Sequence, residues 1–161
     1  MSIFKLIIFS LLTSTQLSSI FAQLTEDHHH DDHQNELGIS NAPVYFLKEK
    51  VFAYGLHLHA VHFVNNSKFG IGLGYEHIFD DHRHTTIGFV AAYRPFERLT
   101  LNLAPGVTFE KDHKDELNFA VHAEAAYEFE IGDFHLGPAI EIAYDPEDIH
   151  LSLGLHIGFG F

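Results

Sequence analysis

Ile149 to Phe161 reads IHLSLGLHIGFGF. Ile149, Leu151, Leu153, Leu155, Ile157, Phe159 and Phe161 are large and apolar, while His150, Ser152, Gly154, His156, Gly158 and Gly160 between them are small or polar. A period of two marks a β-strand with one apolar face. In a soluble protein a second layer would have to cover seven bulky side chains in succession, and no helical pattern in the chain can supply it. Lipid can. A lipid-facing strand needs about 9–11 tilted residues to cross the hydrocarbon, and this stretch is long enough.

The same alternation extends back to Glu36, with polar breaks between segments. The first segment, Leu37 to Leu47, is the least regular, because Asn41 and Pro43 interrupt it and a bulge there would shift its in/out phase. Val51–Phe63, Lys68–Phe79, Thr85–Arg94, Arg98–Glu110, Leu117–Ile131 and Phe134–Tyr144 follow, and Ile149–Phe161 brings the predicted count to eight. Each sets Leu, Ile, Val, Phe and Tyr against Gly, Ala, Thr, His and Glu. The breaks alternate between a charged set (LKEK, DDHRH, KDHKDE, DPED) and a second set (NNSK, PFER, GD). An even number of up-and-down strands places both termini on the side of the second set. Eight strands leave a lumen wide enough for side chains and too narrow for an open channel. Tyr54, Tyr75, Phe79, Tyr93, Tyr127, Tyr144 and Phe159 gather near strand ends, where interfacial girdles belong.

From Glu36 onward this combination resembles the small eight-stranded outer-membrane β-barrels of bacteria, and the strand closing on Phe161 resembles the C-terminal strand that the assembly machinery of that class reads. The resemblance implies an all-β, antiparallel up-and-down transmembrane barrel. It also implies the outer membrane of a Gram-negative bacterium, with outer-membrane lipids and the assembly machinery, through Phe161, as partners. It implies no single activity.

The remainder of the chain agrees with export. Residues 1–22 read as a secretory signal: Lys5, an apolar run from Leu6 to Leu12 too short to span a bilayer, and small Ala22 before Gln23. Residues 23–35 read as a disordered His/Asp-rich tail on the periplasmic side, and 36–161 as the barrel. There is no Cys, which removes disulfides, thiolate metal sites and thiol nucleophiles. The formal charge of -13 disfavours nucleic acid and favours divalent cations or cationic partners. Mean hydropathy close to zero is what alternating strands produce even when they span a membrane. A soluble lipocalin-like barrel is the competing fold, and it would turn the large residues inward.

Two histidine-rich places stand out among the 15 His. In the tail, His28, His29, His30 and His33 are interleaved with Asp31 and Asp32, a flexible set of borderline donors that suits Zn, Ni or Cu without preformed geometry. The competing reading is a solvated linker. In the lumen, pairing strands six and seven around Gly132-Asp133 sets residues whose numbers sum to about 265 opposite each other, which places Glu124 against Glu141. His57, His59, His122 and His156 share that lumen. These six form a second candidate set for divalent metal, since facing carboxylates must share a proton or hold a cation. The same arithmetic gathers Arg94, Arg98 and Glu128 as structural salt bridges. In the alternative, the whole lumen satisfies itself and the barrel is a structural or interaction protein without a ligand. Catalysis is not expected: His82, His84, His113 and His150 at the rim have no nucleophile beside them, Ser152 lying deeper and inward.

Overall fold

The computed structural model describes residues 33–65, 67–81, 83–109 and 117–161. The predicted signal and most of the predicted tail, 1–32, lie outside the described residues. Among the described residues nine strands follow in order: β1 (Asn35–Phe46), β2 (Val51–Phe63), β3 (Phe69–Ile78), β4 (Thr85–Phe96), β5 (Leu99–Phe109), β6 (Asn118–Tyr127), β7 (Phe129–Ile131), β8 (Phe134–Tyr144) and β9 (Ile149–Gly160). Each pairs antiparallel with its neighbours, β1 joins β9, and a β6–β8 pairing closes the sheet on itself. β6 and β7 are two lengths of one stave, because both meet β8 in a single register: Ala126 faces Ala139 and Phe129 faces Leu136. The barrel therefore has eight staves.

Three prolines explain gaps that keep register, and a fourth, Pro95, lies where the β4–β5 register shifts between Tyr93 and Phe96. Pro43, Pro105 and Pro138 face outward. Pairing lapses at Ala42–Pro43 between β1 and β9, between Gly88 and Ala91 opposite Pro105, and after Ala126 opposite Pro138. Proline has no N–H to donate. Pairing resumes beyond Pro43 in the same register (Asn41 with Leu155, Val44 with Ser152), so the first strand contains no phase shift. Glu36, Gly38, Ser40, Ala42, Val44 and Phe46 are all buried. Gly132, at φ 64°, turns β7 into β8 in a conformation that glycine adopts freely.

The outer face is apolar around the whole circumference. Phe52 is 74% exposed, Phe89 73% and Leu153 66%, which reverses the arrangement of a lipocalin-like barrel. Aromatic pairs mark both ends of this face: Tyr45–Phe52 and Tyr54–Phe79 at one, Phe69–Tyr93 and Phe134–Phe159 at the other. Inside, Val44, Phe46 and Ile78 close the mouth farther from the termini, here called the outer mouth. Val61, Phe63, Val90, Ala92 and Ala104 line the wall of β2, β4 and β5. Polar side chains and the alanines Ala42, Ala120, Ala126, Ala139 and Ala143 fill the rest.

Candidate metal centres in the lumen

The inward phase of the staves buries five carboxylates, Glu36, Glu76, Glu124, Glu128 and Glu141, with the imidazoles of His57, His59, His122, His135, His150 and His156. Among the described residues, Arg94 is the only Lys or Arg that falls within a strand. Buried charge must be balanced locally, so this excess of carboxylate governs what the lumen can hold.

The polar residues separate into two groups. Toward the mouth that carries the termini, the inner mouth, Glu36, Glu128, His135 and His156 bring ligand atoms within 4.8 Å of one another. His156 Nε2 is 3.3 Å from Glu128 Oε1, and His135 Nε2 is 3.4 Å from Glu36 Oε2. Arg94 ion-pairs with Glu36 and lays its guanidinium 3.7 Å from the centre of the Phe63 ring. His59 Nε2 is 3.2 Å from Glu36 Oε1, and its ring stacks on that of His156 at 5.2 Å. Thr100 Oγ1 donates to Glu128 at 2.9 Å.

Nearer the outer mouth, Glu76, His122, Glu141 and His150 form a second group within the same 4.8 Å limit. His122 Nδ1 is 3.4 Å from Glu76 and 3.6 Å from Glu141, and His150 Nε2 is 3.9 Å from Glu76. Both ring nitrogens of His122 and of His150 are buried and make no hydrogen bond. His57 supports the group through its Nδ1, 3.2 Å from Glu141 Oε2. A cavity of about 10 Å³ lies beside His57, Glu76 and His122. Ser40 links the halves: its Oγ donates to Glu124 at 2.7 Å and lies 3.0 Å from His156 Nδ1.

The six lumenal candidates from the sequence are thus all buried inside, and Glu124 and Glu141 are directly opposed. They do not form one site. His57, Glu124 and Glu141 bring ligand atoms within 4.8 Å of one another in a three-residue set that shares Glu141 with the outer group, His122 belongs to the outer group, His156 to the inner one, and His59 stacks beside His156. Sequence reasoning left out Glu36, Glu76, His135 and His150 as ligands, although all four occupy the inward phase; what brings them together is contact across the lumen, which turn arithmetic does not reach. Arg94 reaches Glu36. Glu128 meets Arg98 through the main chain, its N–H donating to the Arg98 carbonyl at 2.8 Å, and the Arg98 guanidinium lies 5.9 Å from the Phe129 ring centre. Of the tail candidates, His28, His29, His30, Asp31 and Asp32 lie outside the described residues. His33 sits at the inner mouth, its Nε2 3.5 Å from Asp133.

Comparison with solved structures shows the fold of small eight-stranded outer-membrane barrels. Neisserial surface protein A is similar with a TM-score of 0.58 and 10% identity, covering 79% of this chain and 96% of that one. Ail, the attachment invasion locus protein of Yersinia pestis, gives 0.53 at 14% identity, with 79% and 96% covered. A de novo designed transmembrane β-barrel gives 0.55 at 12%, with 81% and 99% covered. No family model matches the sequence, and no curated protein matches it.

Proposed function

We propose that the chain is an integral outer-membrane protein of a Gram-negative bacterium that binds a divalent transition metal, zinc, nickel or copper, in its lumen, with the His/Asp-rich tail collecting ions on the periplasmic side. The location is supported by the continuous apolar belt around the staves and by the likeness in fold to barrels of that membrane. Lipid is then the solvent of the outer face, and Phe161 is offered to the assembly machinery.

The observation that carries the metal reading is the charge balance of the lumen. Among the described residues, five buried glutamates face one strand guanidinium, among imidazoles whose nitrogens are suited to the same ions. Calorimetric titration of detergent-refolded protein with zinc or nickel, with and without residues 24–32, tests it. Binding that persists after tail deletion places an ion in the barrel, and binding lost with the tail leaves the tail alone as the site. If neither form binds, the barrel is structural and its lumen is balanced by protons.

A further inference from the structure

The two lumenal groups offer the same donors, two imidazoles and two carboxylates, and both have the spacing of a metal site. Four ligands at about 2.0–2.2 Å around a tetrahedral zinc lie about 3.3–3.6 Å from one another. The shortest imidazole–carboxylate separations are 3.3 and 3.4 Å in the inner group and 3.4 and 3.6 Å in the outer one. Spacing does not distinguish them; charge does. In the inner group Arg94 already neutralises Glu36, and one proton shared with Glu128 completes the balance. Glu76, Glu141 and the adjacent Glu124 have no Lys or Arg paired with them among the described residues. Three carboxylates in a closed space call for two or more positive charges, which a divalent ion or protonated His57 and His122 would supply.

Resting on the metal reading above, we propose that the lumenal centre is the outer one, built by Glu76, His122, Glu141 and His150, and that the inner group is a salt-bridged plug that takes no divalent ion. Buried atoms without a hydrogen bond occur in both groups, His156 Nε2 and Glu128 Oε1 in the inner one. The outer group differs in degree: both nitrogens of His122 and of His150 are without one, and His150, 3% exposed, aims its Nε2 toward Glu76, whereas His156 Nδ1 lies 3.0 Å from Ser40 Oγ. The cavity bordered by His57, Glu76 and His122, and not by Glu141 or His150, has about the volume one water-sized occupant requires. Two nitrogens and two oxygens favour zinc in tetrahedral geometry over the harder calcium and magnesium ions. Val44, Phe46 and Ile78 form an apolar cover on the outer side, with the Phe46 ring 5.3 Å from that of His150.

The test uses the full mature chain refolded in detergent, with His28, His29, His30 and His33 replaced by Ala, and zinc chloride competed against a chelator of known affinity. Far-UV circular dichroism checks that each variant folds, and His150→Gln, which retains side-chain bulk, replaces His150→Ala should the latter fail. Glu76→Gln and His150→Ala are expected to weaken zinc binding by more than about 100-fold, the upper end of what losing a supporting partner costs. Glu128→Gln, in the inner group, is expected to leave it within about threefold, since its carboxylate is not a ligand. Loss of zinc in Glu128→Gln with retention in His150→Ala would overturn the assignment and move the ion inward, leaving the metal reading intact. No zinc in the unsubstituted lumen would sink both.

Discussion

Glu124 on β6 and Glu141 on β8 are directly opposed Cα partners on the lumenal face of neighbouring staves. Their environments divide them. Glu124 accepts from Ser40 at 2.7 Å and from the Asn102 amide at 3.1 Å, while Glu141 faces His57 at 3.2 Å and His122 at 3.6 Å. Hydroxyl and amide donors hold one carboxylate in place, and imidazoles surround the other. The second is the one equipped to share a cation with nitrogen ligands.

His57 is accordingly a positioning residue for Glu141. His57→Ala is expected to lower zinc affinity about 10–100-fold, the usual effect of removing an outer-shell partner. His57→Asn, whose amide can replace the Nδ1 donor, should recover part of it. A purely structural role would show equal loss of thermal stability in both variants and no difference in zinc affinity.

The lipid-facing orientation predicts a different penalty. Leu153 lies mid-strand on β9 and is 66% exposed. Leu153→Arg should destabilise the barrel by about 2–4 kcal/mol in reversible unfolding from lipid vesicles, as a cation at the bilayer midplane does. No measurable change would mean that this face is in water.

Arg94 is the counterion of the inner plug. Removing one partner of a buried pair costs about 3–5 kcal/mol, so Arg94→Ala should destabilise on that scale, with lost packing on Phe63 included. Combining Arg94→Met with Glu36→Gln should restore much of it in a double-mutant cycle. Additive losses would show that the two side chains act independently.

Asp148 joins the β1–β2 and β8–β9 turns. Burial pushes its carboxyl pKa up, but backbone N–H groups of Lys48, Ile149 and Glu49, with the Lys48 charge, outweigh that and hold it below the ordinary value. The donors are at 2.8 Å (Lys48), 2.7 Å (Ile149) and 3.2 Å (Glu49). With a folded pKa depressed below the unfolded value of about 3.9, the stabilisation is present above the unfolded pKa and is lost as pH falls through the folded one. Amide exchange at Lys48 and Glu49, taken relative to the intrinsic rate at each pH, should accelerate on acidification in the wild type. In Asp148→Asn it should already be fast at neutral pH, without the acid step, and an identical acid step in both would contradict this role.

The strands were legible because alternation is local. Val51–Phe63 and Phe134–Tyr144 are strands over the very residues that the pattern marks, and counting back from Gly132-Asp133 pairs Glu124 with Glu141. Pro43 misled the reading of the first strand. Its missing N–H breaks one ladder without adding a residue, so the phase continues where a bulge was expected. The division of the lumen was not legible. Whether His156 faces Glu128 or His122 depends on strand tilt and on contacts across the barrel, and no turn fixes either. His150 looked like a rim residue because it follows the DPED turn closely, yet its side chain is buried in the lumen.

X-ray absorption at the zinc edge, on the refolded barrel with the tail histidines replaced, addresses the buried carboxylate excess most directly. The expected spectrum has one zinc per chain, four nitrogen and oxygen ligands at about 2.0–2.2 Å, and the multiple scattering of two imidazoles. A barrel that takes up no zinc from an excess in solution, or holds it in an all-oxygen shell without imidazole, would contradict a metal centre at Glu76, His122, Glu141 and His150.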